Sequence, residues 1–189
     1  MRVFTRGWMA LAWLVALGVL TGCASTPGGG SGGLSAQAYP QGILIIYGQG
    51  LIPTYDDPTL SSLPYAASEA FANGAYQDLV RRKVPAQVFA NHDKALKTAD
   101  YLGHLLARQP RSAILQVQFV HQKNGSVYSL ALEPTLFTLS QSPDGSFTVG
   151  RPVLSKPYVL MANGVDNRHA SISVMARDFL AKVHSEGQR

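Results

Sequence analysis

Few side chains in this chain are suited to chemistry, and they are scattered. Its one thiol is Cys23. A lone cysteine excludes an intrachain disulfide and any zinc site built from several thiolates. Five histidines, His92, His104, His121, His169 and His184, include no pair three or four residues apart, the spacing that puts two imidazoles on one helical face. No metal site and no cofactor are expected. No Gly-x-Ser-x-Gly elbow is present, so nothing local marks a serine nucleophile. Gly48-Gln49-Gly50 stands where a phosphate-binding turn would follow a strand, but Pro53 takes the third glycine position. The motif therefore lacks its context and reads as part of a long loop. That loop carries Asp56-Asp57, with Tyr47, Gln49 and Tyr55 nearby. The acidic pair is suited to a cation or a basic partner, while Asp57-Pro58 equally starts a turn. A second candidate surface is the polar side of the alternating strands, Gln116, Gln118 and Ser129. Uncharged polar residues there suit a partner strand or peptide, or simple solvation, since antiparallel sheets often leave one face in water.

The amino-terminal segment has a different character. Arg2 and Arg6 precede an uncharged apolar run from Trp8 to Leu20. That run is shorter than the roughly 20 residues needed to span a bilayer, and it fits the apolar region of an export signal. It ends in Leu20-Thr21-Gly22-Cys23. Here the chain is similar to bacterial lipoprotein precursors, whose lipobox these four residues match. The resemblance implies that residues 1–22 are removed and that Cys23 becomes a lipidated N-terminus. Two or more acyl chains give stable anchoring where one is marginal. Ala24, rather than Asp, follows the cysteine, and the resemblance then implies the outer membrane, with the domain facing the periplasm. An acylated Cys23 is no longer a nucleophile.

Removal of the signal leaves 189 − 22 = 167 residues. Two arginines leave with it, so the net charge falls from +5 to +3, and both tryptophans, Trp8 and Trp13, are lost. That balance gives no reason to expect a nucleic-acid partner. Residues 23–40 contain Gly28-Gly29-Gly30-Ser31-Gly32-Gly33 and no charge. Such a tether behaves as a flexible coil reaching roughly 20–25 Å.

The elements that must position any site occupy 41–189, read as one globular domain. Gly42-Ile43-Leu44-Ile45-Ile46-Tyr47 is a strand buried on both faces. Leu60, Leu63, Ala67, Phe71, Ala75 and Leu79 recur at helical spacing, with Pro64 expected in the first turn. A shorter strand is expected over 85–89. A second helix follows, with Leu102, Leu105 and Leu106 on one face, ending before Pro110. Leu115, Val117 and Phe119 alternate along a third strand, and Lys123-Asn124-Gly125-Ser126 places Asn-Gly at a hairpin centre. The return strand meets Pro134, which points to a bulge or an edge. Further strands are expected over 147–149 and 153–161, the latter broken by Pro157, and a last helix presents Ile172, Met175, Phe179 and Val183.

The order is β-α-β-α, an antiparallel meander, then a helix: a mixed α/β sheet with the first strand flanked by the second and third. In this order the chain resembles the small periplasmic domains of TolB N-terminal regions and of lipoproteins of the CsgG and LpoB kind, with no shared motif that carries functional residues across. The functional expectation is a non-catalytic accessory or assembly lipoprotein that binds another envelope protein or a cell-wall glycan. The alternative is a periplasmic hydrolase or small-ligand-binding protein with its site in the Gly48–Thr59 loop.

Overall fold

An uninterrupted apolar run satisfies its backbone in a sheet and its side chains in the interior. Strand β1 (Ile43–Gly48) does both, and all six residues are buried. The structure is a computed structural model describing residues 33–48, 58–91 and 98–187. Cys23, Gln49, Tyr55, Asp56 and Asp57, and with them the lipobox and most of the Gly48–Thr59 loop, lie outside the described residues. So do His92, Asp93 and Leu96.

The elements after β1 follow the expected order: α1 (Pro58–Arg81), β2 (Ala86–Asn91), α2 (Thr98–Arg108), β3 (Ala113–Asn124), β4 (Val127–Gln141), β5 (Phe147–Ser155), β6 (Tyr158–Ala162), β7 (Val165–Asp166) and α3 (Ile172–Glu186). They form a mixed α/β fold around one sheet of order β2-β1-β3-β4-β6-β7, with β5 also paired to β4. Strand β1 runs parallel to both β2 and β3. The remaining pairings are antiparallel.

Each sheet face has its own apolar cluster. Ile43, Ile45, Leu115, Val117, Phe119 and Leu132 turn toward Phe71 of α1 and Phe179 of α3. Leu44, Ile46 and Ile114 turn the other way, onto Leu102, Leu105 and Leu106 of α2. Ile43, Leu44 and Ile45 are 0% exposed, and full burial of such a side chain is worth about 1.5–3 kcal/mol. Helices α1 and α3 cross closely at Gly74, where a Cβ would lie 3.1 Å from the Ser173 Cα.

Several details differ from the sequence reading. Helix α1 begins at Pro58, so Pro58 takes the N-terminal position and Pro64 lies inside the helix. The packed unit starts before Gln41: Leu34 is 4% exposed and Tyr39 packs against the same cluster. Strand β4 is central and continuous through Pro134, which pairs with Val117. Proline is tolerated there because β6 pairs only up to Leu132 and β5 only from Thr135. The missing N–H therefore falls beside the β5–β6 connection, where the Lys156 amide donates to the Pro134 carbonyl. The bulges instead mark the junctions of β4 with β5 and with β6. Strand β5 joins 147–149 to 153–155 in one element.

The hairpin forms where Asn-Gly foretold, but its turn lies one residue later. Asn124 pairs with Val127, leaving Gly125-Ser126 as the turn. Gly125 has φ 61°, and Ser126 does not share the positive φ. Those signs are those of a type II′ turn, in which glycine takes the first central position.

Candidate binding face

Alternation in β3 sends Leu115, Val117 and Phe119 to one face and Gln116 and Gln118 to the other. Gln116 stands opposite Ile46 of β1 and Thr135 of β4. It therefore lies just beyond the apolar cluster under α2. Gln118 is paired with Glu133. Neither glutamine belongs to either apolar cluster, and both are half-buried.

A polar row runs from these residues across three strands. Gln118 Nε2 donates to Glu133 Oε2 at 3.3 Å. The Ser155 hydroxyl donates to Glu133 Oε1 at 3.0 Å. With that proton committed, the Thr135 hydroxyl is the donor in its 2.9 Å bond to Ser155. Each neutral bond of this kind contributes about 0.5–1.5 kcal/mol net, and those to a charged acceptor somewhat more. Their larger effect is orientation, because one carboxylate is held by a donor from each neighbouring strand. With Thr135 buried, 6% exposed, the row offers a ligand a fixed carboxylate acceptor with the Gln118 amide and the Ser155 hydroxyl beside it, a set suited to hydroxyls, amides and backbone N–H groups.

Tyr47 does not join this site. It shares the opposite face of β1 with Ile43 and Ile45 and is 5% exposed. Its hydroxyl donates to Glu69 Oε1 at 3.4 Å, and its ring meets Tyr65 at 5.7 Å between centroids. Burial pushes the Tyr47 phenol well above its usual range, and Tyr65 and Glu69 add to that. Gly48, directly after it, has φ 135° beside the Asn91 backbone. Of the sequence candidates, the structure thus brings Gln116 and Gln118 together and sets Tyr47 on the far face.

Two groups escaped sequence reading. Glu133, Thr135 and Ser155 complete the polar row, and their signal was the strand register. The other group joins β6 to α3. Asp178 Oδ2 accepts from Lys156 Nζ at 2.6 Å and from the Tyr158 hydroxyl at 2.8 Å. Lys182 Nζ lies 3.8 Å away. The Lys156 ammonium holds the Asp178 carboxyl below the usual carboxylate range, opposed by partial burial and helped by Tyr158. Burial, then Asp178, pushes the Tyr158 phenol upward. This group fixes α3 to the sheet, and no sequence spacing joins residues 20 or more positions apart. Among the described residues, no group of three or more His, Cys, Asp or Glu side chains is placed to hold a metal, and no helix is long and apolar enough to cross a membrane.

No family model and no curated protein matches the chain. Among solved structures it is similar to the hypothetical protein CT253 from Chlamydia trachomatis, at 9% identity and a TM-score of 0.38, covering 78% of this chain and 96% of that one. It is also similar to PelC from Paraburkholderia phytofirmans, solved as a dodecamer, at 12% identity and a TM-score of 0.33, covering 84% and 89%.

Proposed function

We propose that this chain is a lipid-anchored, non-catalytic binding module of the bacterial cell envelope. Cys23 attaches it to the outer membrane, and the folded domain works in the periplasm as an accessory or assembly factor. Its partner is another envelope protein or a cell-wall glycan, received on the polar face of β3, β4 and β5. The observation that carries this reading is the row Gln118–Glu133–Ser155–Thr135. A carboxylate fixed by two donors recognises hydrogen-bonding groups. Lipidation rests on Leu20-Thr21-Gly22-Cys23.

A photo-crosslinking side chain placed at Gln118 tests the face, with the same group at exposed Arg81 of α1 as control. Crosslinks to one envelope protein, or to sacculi, at position 118 and not at 81 are expected. Equal labelling at both positions, or turnover of a cell-wall substrate by the purified chain, overturns the reading. Anchoring is tested separately by Cys23→Ala, which must abolish incorporation of an alkyne fatty acid. Continued labelling of the variant refutes the lipobox assignment.

A further inference from the structure

We propose that the chain pairs with a second copy of itself along β2, extending the sheet across a two-fold axis. Strand β2 ends the sheet, and among the described residues it pairs only with β1. The Ile43 amide donates to the Pro85 carbonyl, and Ile43 lies opposite Ala86. The alternation of a parallel ladder then turns Gln87 and Phe89 toward β1, and the N–H and C=O groups of Ala86, Val88 and Ala90 outward. Those groups form a ready template for another strand.

The sheet guards its other margins in ways β2 does not. Strand β5 carries Gly150-Arg151-Pro152, and β7 is only two residues long, with Asp166 paired to Arg168. Short edges, charge and proline are the usual defences against strand addition. The β2 sequence, Ala-Gln-Val-Phe-Ala-Asn, has no charge, glycine or proline.

A second copy is the occupant this strand fits. In antiparallel pairing the outward-facing residues must oppose one another, and side chains of one face must meet the same face. Of the registers that meet both conditions, the one with the most hydrogen-bonded pairs puts Val88 on the axis: Val88 opposite Val88, Ala86 opposite Ala90 and Gln87 opposite Phe89. It supplies about six backbone hydrogen bonds, two from each of three hydrogen-bonded pairs. No like charges are opposed, whereas a charged strand would repel its own copy. The neighbouring helix adds apolar surface. Gly74 of α1 faces α3, so Tyr76, about 200° further round the helix, turns away from α3. Tyr76 is 39% exposed and Val80, one turn on, 51%, and α1 also touches β2.

The test is the mass of the full chain in nonionic micelles, by sedimentation. Twice the single-chain protein mass is expected. Ala86→Pro or Ala90→Pro removes only an outward N–H and adds bulk against the facing strand, and either should restore the single-chain mass with unchanged circular dichroism. Val88→Cys should give a disulfide-linked dimer on oxidation of membranes, absent from the wild type, and this readout stands if the proline variants fail to fold. A wild type of single-chain mass at every concentration, a dimer that survives both prolines, or a Val88→Cys chain that never crosslinks overturns the proposal. Sedimentation does not depend on the polar face, so its result is separate from that of the Gln118 crosslink.

Discussion

Replacing Gly48 by alanine should be among the most damaging single-methyl additions to this protein. Gly48 closes β1 with φ 135°, paired with Asn91 at the end of β2. A Cβ there would lie 2.1 Å from the Asn91 carbonyl oxygen and 2.7 Å from two further backbone atoms of Asn91. Neither strand can yield easily, because Tyr47 and Asn91 are both buried. A non-glycine residue in such a backbone region costs about 1–3 kcal/mol, and overpacking of this kind typically another 1–3 kcal/mol. The sum, about 2–6 kcal/mol, is a large share of the 5–15 kcal/mol that usually holds a domain folded. Two other alanines separate the contributions. Gly145→Ala at φ 84°, with no atom within 4 Å of its Cβ, carries backbone strain alone, about 1–2 kcal/mol. Gly103→Ala in α2, also in open space, should stabilise by about 0.8–1 kcal/mol through helix propensity. Urea unfolding followed by far-ultraviolet circular dichroism reads all three, with unchanged m-values. A Gly48→Ala variant no less stable than Gly145→Ala would refute the close-approach argument.

Three further outcomes follow from the packing and the titrating groups. Phe179→Ala should cost about 3–5 kcal/mol by the same urea assay, because Phe179 is 0% exposed against Phe71, whereas Val80→Ala should stay within about 0.5 kcal/mol; equal costs would count against the assigned core. Tyr47 and Tyr158 both have raised folded-state values, so their stabilisation is complete below the ordinary tyrosine value near 10 and declines as pH rises past it. The urea midpoint should therefore fall between about pH 10 and 12, and fall less in a Tyr47→Phe/Tyr158→Phe double variant; an identical fall would refute this. Asp178 is held low, so its contribution is present above the ordinary carboxylate value and lost as pH falls below it. Asp178→Asn should cost about 0.5–1 kcal/mol at pH 7, given its partial exposure, and almost nothing near pH 2; a difference in melting temperature that does not change with pH would show that the ion pair is not its source.

The hairpin shows how far sequence reading reached toward the site. Alternation assigned Gln116 and Gln118 to one face of β3 correctly, because side-chain direction depends only on parity. Which residue stands opposite depends on the turn. With Asn124-Gly125 at the centre, Gln118 would face Ala131. With Gly125-Ser126 there, it faces Glu133. A turn displaced by one residue moves the pairing by two, which preserves every face and changes every partner. The site's carboxylate was thus hidden by the one quantity that periodicity does not encode. Ser155 was harder still, since β5 reaches β4 through register shifts that no local pattern announces. Element order and the place of β1 between β2 and β3 were legible because they follow from hydrophobic runs and short connections, whereas the expected meander breaks where β6 returns to β4 instead of pairing with β5. The Asp178 group was not, because it joins residues that only the packing of α3 brings together.

The sheet is built asymmetrically, and its polar face and its β2 margin are thereby kept apart. Helices cover both faces at the parallel end, where β1 must bury every side chain. At the antiparallel end, the row of Gln118, Glu133, Thr135 and Ser155 stays outside both apolar clusters. The β2 margin, which among the described residues pairs only with β1, is at the parallel end, with β1 between it and β3. A two-fold axis normal to the sheet would leave both polar faces looking the same way. Five strand spacings of about 4.8 Å separate the two Gln118 strands, and each Gln118 lies three residues, about 10 Å, beyond the level of the axis in opposite directions, so the two are about 31 Å apart before twist is counted. Two sites at that distance suit a partner that repeats, because occupation of one raises the effective concentration at the other. The strongest dependence on β2 pairing should therefore appear with a polymeric ligand. Ala86→Pro should weaken binding to intact sacculi or to an oligomeric protein while leaving binding of a single short fragment unchanged, and an equal loss with both would mean that the edge and the face are one site.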